Sequence, residues 1–228
     1  MGFKLWASDV SFTALLTMLR NNVLVQIPTN NLGGNWTATA VGSGAGAGWL
    51  NAIQLATGTT ASSSYYIQSA TGFQGLQFGS GNSVQIDYSK EMLILYAIRR
   101  TTSEAQTTTW ISQRIDQAIG NLSDVGIGLV IANFAISGES YGTSRATVDL
   151  STTMVTTQGY RIAIHHEPDV PRIRWYVDGV LAGTQTTAAN IPTASASAHR
   201  PAVGIQNGVT GGTSAIFVVS DWWVTQRQ

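Results

Sequence analysis

From Ser64 to the end of this 228-residue chain, β-branched and aromatic residues come in short runs broken by Gly, Asn, Ser and Pro, and no helical crossover of useful length lies between them. Parallel strands need such crossovers, whereas antiparallel strands can be joined by tight turns. The pattern therefore points to an all-β sandwich. The expected strands are residues 65–68, 75–78, 84–88, 92–99, 108–114, 127–136, 145–150, 160–165, 172–177, 180–184, 202–206 and 214–224. The sharpest local feature is Asp178-Gly179 between two of these runs. A two-residue hairpin loop needs two residues that tolerate positive φ, and Asp-Gly is such a pair.

The first part of the chain differs in kind. Val10, Ala14, Leu15, Met18 and Leu19 lie at steps of four, one, three and one, an apolar stripe on a short helix over 9–20 that Ser8 or Asp9 can cap. Asn21-Asn22 ends the helix, and residues 23–27 read as a strand stopped by Pro28. Residues 30–48, with Gly42-Ser-Gly-Ala-Gly-Ala-Gly48, carry too little side chain for a core and read as a loop or glycine-rich arm. The chain thus divides into an N-terminal helix, strand and arm (1–60) and a sandwich domain (61–228). A helix this short needs a partner for its stripe. Leu15, Met18 and Leu19 are expected to bury against the sandwich, a second copy or another protein of an assembly.

Arg174-Trp-Tyr-Val-Asp-Gly-Val-Leu181 resembles the Tyr-Val-Asp-Gly hairpin of concanavalin A-like, laminin G-type jelly rolls. The order around it is similar too: an apolar strand at 92–98, a short strand at Trp110-Ile-Ser-Gln, and a strand at 160–165 before the hairpin. The last strand, Val218-Val-Ser-Asp-Trp-Trp-Val224, sets an acidic residue beside large side chains, as in those domains. Over residues 60–228 the resemblance implies a two-layer antiparallel jelly-roll sandwich. It leaves function open, because this fold hosts lectins, glycosidases, adhesion modules and virion proteins.

Composition removes several classes. Twelve Lys+Arg balance twelve Asp+Glu, and charged residues make up 11% of the chain against about 25% in an ordinary soluble domain. Nucleic-acid binding needs clustered cations, and Arg99-Arg100 is the only adjacent basic pair. Without cysteine there are no disulfides, thiolate chemistry or Cys-based zinc sites. The apolar stretch 125–136 is interrupted by Gly126, Gly128 and Asn133 and is shorter than the about 18 residues of a membrane span. Asp9 precedes any sustained apolar run, so no secretory signal is expected.

Gly138-Glu-Ser140-Tyr-Gly142 spells the nucleophile elbow of serine hydrolases, and Asp169 and His199 follow in the usual order. That chemistry needs a helix after the serine. Here the β-rich Thr143-Ser-Arg-Ala-Thr-Val-Asp-Leu150 follows instead, so residues 138–142 read as a strand-connecting loop with two glycines. His165-His166-Glu167-Pro168-Asp169 gathers metal-ligating types in a turn. Adjacent histidines on a strand point to opposite faces and cannot chelate together, which leaves Glu167 or Asp169 as a calcium or transition-metal contact. Gly42–Gly48 matches a dinucleotide fingerprint in letters alone, since it opens no helix. Glycosidases of this fold carry closely spaced carboxylates on one strand, and only Glu167 with Asp169 comes close, in a turn. Trp175, Trp222 and Trp223 are the candidate ligand-facing aromatics.

The first expectation is thus a non-enzymatic virion structural protein, a bacteriophage capsid-decorating or tail-associated component made in the host cytoplasm. It would have no catalytic residues and no cofactor, and it would contact copies of itself or other virion proteins. The alternative is a carbohydrate-binding module or lectin that contacts glycans. A serine hydrolase using 138–142 comes third.

Overall fold

The structure is a computed structural model and describes residues 22–26, 36–41, 46–49, 52–69, 87–102, 107–114, 120–193, 200–209 and 216–227. The described residues form fifteen strands: β1 (Asn22–Gln26), β2 (Trp36–Val41), β3 (Gly46–Trp49), β4 (Ile53–Ala56), β5 (Ser64–Ser69), β6 (Met92–Arg100), β7 (Thr108–Arg114) and β8 (Gly126–Ala132). The others are β9 (Ala135–Tyr141), β10 (Arg145–Thr153), β11 (Gly159–Glu167), β12 (Arg172–Val177), β13 (Val180–Gln185), β14 (Arg200–Gln206) and β15 (Ile216–Arg227). A short 3₁₀ turn spans Ala188–Asn190. One sheet runs β13-β12-β11-β6-β15-β4-β3, with β1 also paired to β15, and the other runs β10-β9-β8-β7-β14-β5-β2. Pairings among the described residues are antiparallel throughout. This is the expected two-layer antiparallel jelly-roll sandwich.

Period-two alternation builds the core between the sheets. In the first sheet Ile94, Ile164 and Trp175 stand side by side across β6, β11 and β12. Ile67, Val203, Ile111 and Leu129 form the matching row of the second sheet. All of these are buried, and Trp175 is the largest fully buried side chain. Its indole N–H donates to the Gly128 carbonyl at 3.1 Å, which joins the two layers. At one side the edge strands β10 and β13 meet. A Cβ on Gly183 would lie 2.6 Å from Leu150 and 2.8 Å from Val148.

The Asp178-Gly179 turn is present, with φ of 50° and 86°, and closes Val177 onto Val180. A second two-residue turn splits the single strand expected over 127–136. Asn133 and Phe134 have φ of 48° and 71° and fold β9 back onto β8. Asn tolerates this conformation, whereas Phe134 is held there by stacking, with the Arg100 guanidinium 4.0 Å from its ring centroid.

The region expected to be a glycine-rich arm contributes strands. β2 pairs with β5 and β3 with β4, because small residues still offer the backbone groups an edge strand needs. Residues 138–142, expected as a loop, belong mostly to β9. The strand expected at 23–27 appears as β1, paired with the C-terminal half of β15. The expected helix over 9–20, with Leu15, Met18 and Leu19, and the strand at 75–78 lie outside the described residues.

Candidate functional site

Ser140 sits on β9 opposite the core residue Ile127 and is fully buried. Its hydroxyl has no hydrogen-bond partner among the described residues, and the chain continues through a three-residue turn into β10 rather than into a helix. Both glycines of the motif answer to packing. A Cβ on Gly138 would lie 2.5 Å from the Trp175 ring, and one on Gly142 would lie 2.7 Å from the carbonyl oxygens of Ala189 and Ile191. The letters that spell a nucleophile elbow are therefore clearances for an indole and for the 3₁₀ turn. His199 lies outside the described residues, and Asp169 is exposed in the turn between β11 and β12.

The strand partners of Glu139 are Gly128 and Thr147, which puts its side chain on the outward face of the seven-stranded sheet. It is nonetheless buried, because residues 121–122 lie over it. The Leu122 N–H donates to Glu139 Oε1 at 2.9 Å, and Trp110 Nε1 donates to Asn121 at 3.1 Å. Register extends this face over the hairpin of β9 and β10. Tyr141 pairs with Arg145, Glu139 with Thr147, and Ser137 with Asp149. Arg145, Thr147 and Asp149 are exposed, and Tyr141 and Ser137 are partly so. Arg145 Nη1 lies 4.0 Å from Glu139 Oε1 with its side chain 43% exposed, so the carboxylate orients the guanidinium without consuming its donors. The result is a hydroxyl-rich strand face with one aromatic ring, one cation and one anion. None of these side chains stands out in the sequence, because only the β9–β10 register brings them together.

A second polar cluster forms on the outward side of β11. His165 Nε2 lies 2.8 Å from Glu91 Oε1, just ahead of β6, and its Nδ1 lies 2.9 Å from Arg174 Nη2 on β12. Glu167 accepts from Arg172 Nε and Nη2 at 2.9 and 2.8 Å and from Arg174 Nη2 at 2.8 Å. Although burial opposes its charge, these guanidiniums hold the Glu167 carboxyl below the usual range. Glu91, His165 and Glu167 offer atoms within 4.8 Å of one another, the only such metal-ligating group among the described residues. Both ring nitrogens are engaged in this arrangement, Nε2 with Glu91 and Nδ1 with Arg174, so an ion here would have to displace a side-chain partner. Glu167, expected as a metal contact, belongs to this group and also accepts from two arginines, whereas Asp169 is not part of it. His166, as alternation requires, turns inward. Its Nε2 donates to the Pro192 carbonyl at 2.8 Å and its ring meets Tyr88 edge-on. Burial lowers its pKa to about 4.

Trp175, expected as a ligand platform, has no exposed surface and is a core residue. The side chains of Trp222 and Trp223 lie outside the described residues. Their backbone runs through an irregularity in the β15–β6 ladder between Ser220 and Trp223.

No protein-family model matches the sequence, and no curated protein matches it. Solved structures match the fold. A β-glucanase of Bacillus licheniformis is 14% identical with a TM-score of 0.58, over 91% of this chain and 98% of that one. Arcelin-5, a lectin-like defense protein from Phaseolus vulgaris, is 10% identical with a TM-score of 0.58, over 91% and 99%. A botulinum neurotoxin type C structure, whose title ties cell entry to two ganglioside molecules, is 10% identical with a TM-score of 0.55. It is matched over 94% of this chain and 50% of its own. At these identities the likeness defines the fold alone: the chain has a concanavalin A-like jelly-roll sandwich fold.

Proposed function

We propose that the chain is a non-enzymatic recognition module that holds a glycan on the outward face of β9 and β10. The observation that carries this reading is the patch of Ser137, Tyr141, Arg145, Thr147 and Asp149, in which hydroxyls, a phenol ring, a cation and an anion share one strand face. Such a set matches a polyhydroxylated ligand, whose hydroxyls both donate and accept and whose ring faces stack on aromatics. The lectin-like character of arcelin-5 and the ganglioside interaction named for the toxin support it. The β-glucanase makes hydrolysis the competing outcome. Against that stand the burial of Glu139 under Leu122 and of Ser140 in the core. On a glycan array the protein is expected to bind a defined subset of sugars, with Tyr141→Ala and Arg145→Ala each weakening it about tenfold, or about 1.4 kcal/mol. Binding that both variants retain in full overturns this location, and no binding on a broad array overturns the reading.

A second reading is favoured by surface chemistry: a bacteriophage virion component, decorating a capsid or associated with a tail, packed against copies of itself or other virion proteins. Only 11% of residues are charged, and the edge strand β13 is uncharged with Val180 and Leu181 exposed. An uncharged edge invites a neighbour. Native mass spectrometry and co-sedimentation with particles test this. A monomer that leaves particles in the supernatant argues against it.

A further inference from the structure

Strand register gathers cations that the sequence scatters. Arg145 on β10 stands opposite Tyr141 on β9, Tyr141 opposite Gly126 on β8, Gly126 opposite Arg114 on β7, and Arg114 opposite Arg200 on β14. Three of the chain's twelve basic residues thus share one register row, which crosses five neighbouring strands in about 19 Å. Tyr141 and Arg145 lie two residues from Glu139 and Thr147, so they leave the seven-stranded sheet on its outward face. The arginines of the other sheet are already engaged. Arg172 and Arg174 donate to Glu167 at 2.8 to 2.9 Å, whereas the Arg145 side chain makes no hydrogen bond among the described residues. Glu139, 4.0 Å from Arg145, is buried and already accepts from the Leu122 N–H, so it steadies a cation whose side chain stays 43% exposed. Two further described carboxylates belong to this face or its border. Asp124, exposed two residues before Gly126, accepts from the Val125 N–H at 2.6 Å, and Asp149 lies four residues along β10, about 13 Å from Arg145.

The hydroxyls of Ser137 and Thr147 and the ring of Tyr141 suit sugars of any charge. Arg145 is more selective. Its planar fork matches a carboxylate or sulfate through two parallel N–H bonds, each about twice as strong as a contact between neutral groups. We propose, resting on the reading that β9 and β10 hold a glycan, that this glycan is acidic: its carboxylate or sulfate docks on Arg145, and the sugar ring that bears it lies against Tyr141. The positions of Arg114 and Arg200 extend the cationic field along the row, toward further acidic sugars of the same chain. Asp149 repels an anion at the far end of the patch, which gives the ligand a direction along β10. Three cations are few for a nucleic acid, which is held by many phosphate contacts, whereas one oxyanion on a sugar needs a single well-placed guanidinium.

The test separates charge from sugar. On a glycan array the bound subset is expected to carry carboxylates or sulfates. Calorimetry then compares the strongest binder with its uncharged counterpart, the methyl ester of a carboxylate or the desulfated form of a sulfate, and the one that matters names the oxyanion. Loss of the charge is expected to weaken binding about tenfold, and Arg145→Gln to weaken the acidic glycan about tenfold while leaving the uncharged one unchanged. Raising salt from about 0.1 to 1 M, where the screening length falls from about 10 to 3 Å, should weaken only the acidic glycan. Arg114→Gln combined with Arg200→Gln should weaken an acidic oligosaccharide about threefold, and an unchanged affinity would overturn the extended row. Neutral glycans bound in preference, with Tyr141→Ala still weakening them, would overturn the acidic class and leave the site on β9 and β10 standing. No glycan binding at all would overturn both. A single-stranded oligonucleotide bound as tightly as the acidic glycan, with the same dependence on Arg145, would overturn the proposal in favour of binding by charge alone.

Discussion

Two inner strands carry adjacent polar residues in the same layout. On β9 Glu139 faces outward and Ser140 faces the core, and on β11 His165 faces outward and His166 faces the core. The pairs differ in how their groups are satisfied. His166 has the Pro192 carbonyl and His165 has Glu91 and Arg174, whereas the Ser140 hydroxyl has no partner among the described residues. Strand geometry forbids cooperation within either pair, because consecutive side chains leave opposite faces. On β9 Glu139 accepts from the Leu122 N–H and Ser140 packs in the core, and the β11 pair anchors two segments through polar contacts.

The hardest way to break the comparison is at the indole the strands share. Trp175→Ala removes a fully buried ring and its bond to Gly128, and is expected to cost about 3–5 kcal/mol in denaturant titrations. A loss below about 1 kcal/mol would mean the two layers do not meet through this ring. Acid is the next lever, and on β11 it acts through His166. His166 is held neutral in the fold, so stability is present above pH 6.5 and lost as pH falls toward about 4. His166→Leu should flatten the melting profile over that range, and an unchanged profile would assign acid sensitivity elsewhere. On β9, Glu139→Ala strips the acceptor from the Leu122 N–H and should cost about 1–3 kcal/mol, read from the same titrations. Ser140→Ala should have the smallest effect, neutral or stabilising by up to about 1 kcal/mol, because the hydroxyl it removes has no partner among the described residues. Marked destabilisation would give Ser140 a hidden partner.

How far these regions could be read in advance follows from the range of the forces that shape them. Asp178-Gly179 is legible because the two residues themselves tolerate positive φ. Asn133-Phe134 makes an equivalent turn but is not legible, since Phe134 is placed by Arg100 from the other sheet. Gly138 and Gly142 read as an enzyme motif because their reasons, the Trp175 ring and the carbonyls of 189–191, are distant in sequence. Alternation did predict that His165 and His166 would part company. It could not supply Glu91, which lies 74 residues from His165 in the chain. Thr37 and Thr39 alternate with small residues in β2, a strand signal outweighed by the glycines that follow.

The central claim is that this sandwich recognises a ligand on β9 and β10 without transforming it. The direct measurement is to incubate the protein with its best array glycan at pH 7.5 and follow binding by calorimetry and integrity by mass spectrometry in the same sample. The account predicts saturable binding, weakened by Arg145→Ala, with the glycan recovered intact. Cleavage of the glycan that disappears in Glu139→Gln or Ser140→Ala would contradict it.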